Sequence, residues 1–181
     1  MTKISIPDIA QMRTLAGQMA GMAARPRFER AAGGIPEGST VFLDLAEVAI
    51  LTSSYFLASL WAVFWDSSFA KDRDLYPVLY NVPSDSVRDT EIVFEAKGVP
   101  AIFADGPEDR LGIRLFNLDE TGRATLKVVE KSGETTAAEL HERDGTIGKT
   151  GWSNRLALLH DQRILRRHKM GRQLVYSPCW R

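Results

Sequence analysis

The chain has 181 residues with 23 basic and 23 acidic side chains, so its formal net charge is zero. A single cysteine, Cys179, excludes an intramolecular disulfide. The longest apolar run, residues 55–65, is too short for a transmembrane helix, which needs about 20 residues. The N-terminus lacks a signal-peptide pattern, so we expect a cytoplasmic protein that does not enter a membrane.

The zero net charge conceals an asymmetry along the chain. Residues 1–118 hold 11 basic and 15 acidic side chains, a net charge of −4, whereas residues 119–181 hold 12 and 8, a net charge of +4. From residue 145 to 181 there are eight basic residues and one acidic residue, a net charge of +7. Such asymmetry indicates that the C-terminal end meets a polyanion.

Residues 7–24 are predicted to form a helix, because apolar residues recur there at helical spacing. These residues are Ile9, Met12, Ala16, Met19 and Ala23. We interpret the methionine-rich face as core-facing, since methionine fills gaps in cores; the alternative is a groove for a partner. A cluster of glycine and proline at residues 33–38 ends this segment.

Strands and helices then alternate up to residue 118. Strands are predicted at residues 41–45, 75–82, 100–104 and 111–118. Helices are predicted at residues 55–65 and 84–97, the first capped by Ser53 or Ser54 and the second by Ser84, with Gly98 ending the second. This order predicts an α/β domain over residues 1–118, with a parallel sheet covered by helices.

The pattern changes in residues 119–181, which we assign to a second domain of the α+β class. Helices are predicted at residues 119–131, 136–143 and 148–161. Thr135 or Thr136 caps the second of these, and Glu139 completes a capping box with Thr136. Two short strand patterns at residues 164–167 and 173–176 then predict a hairpin.

The third of these helices has two contrasting faces when its residues are placed at about 100° intervals. Trp152, Leu156 and Leu159 share a face that is expected to be core. The opposite face carries small or polar residues, namely Thr150, Ser153, Asn154 and Ala157. Such a face can approach base edges, and asparagine pairs bidentately with adenine.

Basic residues border this polar face. Lys149 and Arg155 lie toward its flanks, where phosphate contacts are expected. The hairpin adds four further cations, which are Arg166, Arg167, Lys169 and Arg172. Their charge would lie close to a DNA backbone or a minor groove.

Residues 135–178 resemble the winged helix-turn-helix repressors of the MarR and ArsR kind. The matching segments are residues 136–140 (TAAEL), 153–159 (SNRLALL), 164–167 (ILRR) and 171–178 (GRQLVYSP). The resemblance implies double-stranded DNA as the partner, bound by a homodimer whose third helices enter two half-sites. The alternative is that this domain binds another protein instead.

Residues 41–106 resemble a STAS domain, the fold of sulphate transporters and anti-sigma factor antagonists. The resemblance lies in a strand ending in Asp44-Leu45, the sequence Thr52-Ser53-Ser54 opening an apolar helix, and the strands at residues 77–80 and 101–103. In the antagonists a kinase phosphorylates the first serine of an Asp-Ser-Ser-Gly loop, which corresponds to Ser53. Here threonine replaces the aspartate and Tyr55 the glycine. The alternative role of Ser53 and Ser54 is helix capping.

Other chemistry is not expected from the sequence. Gly148-Lys149-Thr150 imitates a phosphate loop, but position 143 is arginine where that motif needs glycine. The three histidines and Cys179 fit no zinc spacing, and we expect His160 and His168 at the surface. We therefore predict no cofactor and no metal.

An enzyme is not expected either, because residues 1–118 contain no histidine and their acidic residues are scattered singly. Asp44 alone is a candidate base. A small ligand at the carboxyl ends of the strands is a further hypothesis. It would contact polar side chains there, namely Asp44, Thr52, Ser53, Asn81 and Ser84.

Together these patterns predict a two-domain DNA-binding transcriptional regulator of bacterial type, whose STAS-like domain senses a signal, oligomerises or recruits a protein partner. Two alternatives stay open. One is a partner-switching signalling protein that docks a protein through its winged helix. The other is a subunit of a defence or mobile-element nucleoprotein assembly.

Overall fold

A computed structural model describes residues 2–66, 70, 72–107 and 109–181. The chain is of the α/β class and divides into two compact units, residues 1–117 and 118–181. The division lies within one residue of the boundary expected from the sequence.

The first unit is built on a mixed five-stranded sheet. The strands described in this unit are β1 (Thr2–Ser5), β2 (Thr14–Leu15), β3 (Thr40–Asp44), β4 (Ile50–Leu51), β5 (Tyr76–Tyr80), β6 (Ala101–Asp105) and β7 (Gly112–Phe116). The sheet order is β1-β3-β5-β6-β7, while β2 and β4 form a separate parallel pair. The first four strands of the sheet are parallel, and β7 runs antiparallel to β6.

The expectation of a wholly parallel sheet is therefore wrong at its last strand. Only residues 106–111 connect β6 to β7. A parallel neighbour would need a crossover of a dozen or more residues, so this connection is long enough only for an antiparallel return.

The helices described in the first unit are α1 (Ile6–Ala10), α2 (Gln18–Gly33), α3 (residues 53–64) and α4 (Ser84–Lys97). The single helix predicted over residues 7–24 is wrong. Gln11 adopts a left-handed conformation (φ 58°) that ends α1, and Gly17 (φ 84°) precedes α2. Thr14 and Leu15 between them pair with Ile50 and Leu51 instead.

The core of the first unit lies where the helices pack on one another and on the sheet. It includes Phe28 of α2, Phe56 of α3 and Phe94 of α4, together with Leu43 and Leu79 of the sheet. The expected methionine-rich core face is also wrong, because Met12 and Met19 are 42% and 77% exposed. Small residues of α2 such as Ala24 and Ala32 are buried in their place.

Helix α3 starts at a different cap from the one predicted and contains a π turn. Thr52, rather than Ser53 or Ser54, accepts a hydrogen bond from the Tyr55 backbone NH. The segment Leu57–Trp61 is π-helical. Similarly, α4 begins after Pro83, and the Ser84 hydroxyl donates to Asp85 instead of capping. Gly98 ends α4 in a left-handed conformation, as predicted.

The second unit consists of α5 (Glu120–Ser132), α6 (Ala137–Arg143), α7 (Lys149–Asp161) and the antiparallel strands β8 (Leu165–Met170) and β9 (Gln173–Pro178). Asp119 caps α5 by accepting from the Gly122 NH at 2.6 Å. The capping box of α6 between Thr136 and Glu139 is confirmed.

Gly21 sets how closely α2 approaches α3. A Cβ at this position would lie 2.8 Å from the Tyr55 carbonyl oxygen and 3.0 Å from the Ala58 Cβ. We expect Gly21→Ala to lower the free energy of unfolding by about 1–3 kcal/mol, because backbone must shift to make room. Urea denaturation followed by circular dichroism measures this.

Gly33→Ala in the last turn of the same helix is the matched control. Apart from its chain neighbours and the backbone of its own helix, no atom of the described residues lies within 4 Å of its added Cβ, so the change is expected to be neutral or stabilising by up to about 1 kcal/mol. Equal effects of the two substitutions would contradict close packing at Gly21.

Candidate nucleic-acid interface

Helix α7 presents one buried face and one polar face, as its sequence predicts. Trp152, Leu156 and Leu159 are almost completely buried. On the opposite side, Ser153 and Asn154 are exposed. Thr150 is exposed as well, and Ala157 is half-buried. The exposed stripe therefore offers short hydroxyl and amide groups to a partner.

The turn between α6 and α7 is held by local hydrogen bonds. The Asp144 carboxylate accepts from the Thr146 backbone NH at 3.1 Å and from the Thr146 hydroxyl at 2.5 Å. These bonds lower the pKa of Asp144, the hydroxyl bond contributing most. The His141 ring Nδ1 lies 2.9 Å from the Ile147 carbonyl oxygen. The start of α7 is thus tied to the end of α6.

Two cations of β8, Arg167 and Lys169, lie on the same face of the β8–β9 hairpin. Arg167 pairs with Tyr176 and Lys169 with Leu174. Because directly paired residues and those two apart share a face of an antiparallel ladder, these four side chains lie on one side. Gly171 (φ 61°) opens the two-residue turn at the tip, and Arg172 is its second residue.

A backbone bridge joins the hairpin to the start of α6. The Thr135 NH donates to the Tyr176 carbonyl at 3.0 Å, and the Tyr176 NH donates to the Thr135 carbonyl at 2.8 Å. Thr135 is itself buried. The hairpin is therefore anchored beside the helices rather than free.

A groove of about 250 Å³ lies between the hairpin, the start of α6 and the first turn of α7. It is lined by Thr136, Ala137, Ala138, Lys149, Ser153, Arg172, Gln173, Leu174 and Tyr176. None of these residues is acidic, and two are cations. The structure thus brings Lys149, Ser153 and Arg172, three of the residues singled out in the sequence, to one place.

Two of the predicted DNA contacts have partners within the second unit. The Arg166 guanidinium donates to the backbone carbonyl of Arg181. The half-buried Arg155 guanidinium lies 5.7 Å from the centre of the Trp152 ring. In contrast, Arg167, Lys169 and Arg172 are exposed.

The expectation of a surface position for His160 is wrong. This residue is 6% exposed, and its ring Nδ1 lies 3.2 Å from the Leu165 carbonyl oxygen. It joins the end of α7 to the start of β8. His168 is exposed on β8.

Burial raises the pKa of the Cys179 thiol to about 12, which keeps the thiol protonated and unreactive at neutral pH.

In the first unit, Asp44 is committed to structural contacts. Its carboxylate accepts from the Asn81 side-chain amide and from the Ala46 backbone NH, both at 3.1 Å, and lies 3.5 Å from the Lys3 ammonium. A carboxylate with three such partners holds the ends of β1, β3 and β5 together. Asp44 and Asn81 of the hypothetical ligand site are thus adjacent.

The remaining residues of that hypothetical site lie at helix starts. Ser53 lies half-buried in the first turn of α3, and Ser54, the other serine considered for capping, is exposed beside it. The Thr52 hydroxyl oxygen accepts from the Gly17 NH at 3.3 Å. Because Gly17 precedes α2 and Thr52 caps α3, this hydrogen bond links the starts of the two helices.

Sequence reasoning missed part of the groove wall. Gln173 and Leu174 of β9 and Ala137 and Ala138 of α6 line it beside the cations. The alternation of side chains along β9 could have placed Leu174 in the wall, because this residue shares a face with Tyr176. The alanines carry no such signal, because their position depends on the Thr135–Tyr176 bridge.

No family model, curated protein or solved structure matches this chain. In the part of the chain that the structure describes, no helix combines the length and apolar character needed to cross a membrane. Over the same residues, no group of three or more His, Cys, Asp or Glu side chains is arranged to hold a metal ion.

The capping box predicts a pH-dependent contribution to stability. The Glu139 carboxylate accepts from the Thr136 NH at 2.8 Å, and this bond lowers its pKa below the ordinary value of 4.5. A depressed folded-state pKa stabilises the fold above pH 4.5 and loses that effect as the pH falls through the folded value. Glu139→Gln is therefore expected to be less stable than the wild type at pH 7.

This difference should shrink below pH 4.5 in urea unfolding curves recorded across a pH series. Glu134→Gln, which removes an exposed carboxylate just before the cap, serves as the control. A difference between wild type and Glu139→Gln that does not change with pH would contradict a stabilising role for the charge.

Proposed function

We propose that the protein is a transcriptional regulator that binds double-stranded DNA through its second unit. Helix α7 would lie in a major groove, and the β8–β9 hairpin would contact the adjacent backbone or minor groove. The observation that carries this proposal is the groove in which the polar start of α7 and the basic hairpin face one another without an acidic lining residue.

The order of elements supports a winged helix-turn-helix architecture for this unit. Three helices are followed by an antiparallel hairpin, and Thr135 adds a bridge to that hairpin between α5 and α6. In such a domain the third helix reads DNA and the hairpin is the wing. The resemblance to MarR- and ArsR-type repressors rests on this order and on the four matching segments of residues 136–178.

Electrostatics favours a nucleic acid over a protein as the partner of this surface. The exposed cations Lys149, Arg167, Lys169 and Arg172 come from two elements that border one groove. Cations that replace condensed counterions on DNA gain binding free energy at low salt. A typical protein interface core is depleted in charge, which makes this surface a poor match for one.

For the first unit we propose a STAS-like role in sensing or oligomerisation. Support comes from the sheet order, with α3 opening at Thr52-Ser53-Ser54 after β3 and β4. A homodimer would place two α7 helices about one DNA turn apart, the spacing that symmetric operators require.

Duplex binding by the full chain tests the proposal. A duplex is first selected from a random pool, and its affinity is then measured by fluorescence anisotropy over a salt series. We expect Arg167→Gln with Lys169→Gln to weaken binding about ten- to hundredfold. The slope of log affinity against log salt should fall by about 2, one for each phosphate that the variant no longer neutralises.

Lys127→Gln with Lys131→Gln is the matched control, since it removes two exposed cations of α5 outside the groove. It should leave affinity and slope nearly unchanged. No measurable duplex binding at about 50 mM salt, or equal reductions in affinity for the two double variants, would contradict the proposal.

Asn154 should determine sequence preference rather than general affinity. Its exposed amide stands on the polar stripe of α7, and a bidentate contact to adenine discriminates by about 1–3 kcal/mol. Asn154→Ala is expected to relax one position of the selected site while retaining the salt slope. Repeating the selection with this variant measures the change; an unaltered site preference would exclude Asn154 as a base reader.

The position of Ser53 supports a second candidate, a partner-switching signalling protein. Ser53 and Ser54 lie in the first turn of α3, where a phosphate is electrostatically favoured. This candidate predicts a Ser53 phosphoform in cells, detectable by mass spectrometry, and a protein partner without salt-dependent DNA binding.

A further inference from the structure

The groove of the second unit carries a cation on each of two separate elements. Lys149 begins α7, and Arg172 lies in the turn at the hairpin tip. Both are exposed, and neither forms an ion pair with a residue that the structure describes. Because both cations line the same groove, an anion bound in that groove would be attracted by both of them.

The rest of the lining narrows the chemistry of the anion. Ser153 adds a hydroxyl donor and Gln173 a side-chain amide, while Leu174 and Tyr176 contribute apolar surface. Leu174 is 44% exposed. An inorganic anion would leave this apolar wall in water, whereas a sugar–phosphate unit has both an anionic and an apolar side. The lining therefore fits a phosphodiester with its attached sugar.

We propose that Lys149 and Arg172 clamp a single backbone phosphate of the bound DNA in this groove, with the adjoining deoxyribose against Leu174. This inference rests on the proposed DNA-binding function. It assigns the two cations a shared role that is distinct from the contacts of Arg167 and Lys169 farther from the hairpin tip.

The clamp would position the recognition surface. Lys149 precedes Thr150 by one residue and Ser153 by four, so a phosphate fixed at Lys149 fixes the distance of these side chains from the bases. Because the opposite wall belongs to the hairpin, one phosphate would set the register of helix and hairpin together. Lys149 and Arg172 are thus positioning residues, and Asn154 reads sequence only when they hold the phosphate.

The test measures how each protein variant binds DNA duplexes in which a single phosphate has been made neutral. In the selected duplex, each phosphate is replaced in turn by an uncharged methylphosphonate, and affinity is measured with the full-length protein. We expect one position in each half-site at which the replacement weakens wild-type binding about ten- to hundredfold. At that position the replacement should have little further effect on the Lys149→Gln/Arg172→Gln variant.

The Lys127→Gln/Lys131→Gln variant is the control for charge, and its response at every position should match the wild type. A thermal unfolding curve of each variant confirms that it folds, as expected for exposed substitutions. The two single variants, Lys149→Gln and Arg172→Gln, should each respond less than the wild type to replacement of that same phosphate, because each retains one of the two cations.

The outcomes separate the clamp from the proposed function. If the duplex binds but the effects of variant and methylphosphonate simply add at all positions, the clamp is wrong and DNA binding stands. If Lys149 and Arg172 couple to different phosphates, the clamp is also wrong. If no duplex binds, both proposals fail. Competition by inorganic phosphate at matched ionic strength, without coupling to any DNA position, would assign the groove to a small anion instead.

Discussion

The pair of backbone hydrogen bonds between Thr135 and Tyr176 is the constraint on which the candidate interface depends. It fixes the hairpin beside the start of α6, and the capping box at Thr136 fixes that start in turn. Helix α7 then packs its buried face, including Trp152 and Leu156, inside the unit. The groove lies between these three elements, which these contacts hold together.

Most of the second unit could be predicted from its sequence because the signals there are local. A helix with a polar and an apolar face, a capping box of residues three apart and a hairpin between two short strand patterns each depend on neighbours in the chain. The α7 faces, the box at Glu139 and the hairpin follow these rules, although β8 extends to Met170 and leaves a turn of only two residues. Their assembly into a groove needed the nonlocal bridge to Tyr176.

The errors arose where distant residues compete with local preference. The spacing of Ile9 and Met12 is helical, yet Gln11 ends α1 and Leu15 pairs with Leu51. Polar residues also found internal partners that sequence does not reveal. Arg166 donates to the Arg181 carbonyl, although its charge favoured a DNA contact. His160 lies against the Leu165 carbonyl, although a surface position was expected for it. The zero net charge of the chain likewise does not indicate its partner, because only the positions of the cations in the structure show where a polyanion could bind.

The most direct measurement is a titration of the isotope-labelled full chain with its selected duplex, followed by amide chemical shifts. If the account is correct, the largest changes fall on the exposed stripe of α7 and on the hairpin, including Thr150, Asn154, Arg167 and Arg172, and they diminish as salt is raised. Changes confined to the first unit, or unaltered shifts in α7 and the hairpin while the duplex is bound, would contradict it.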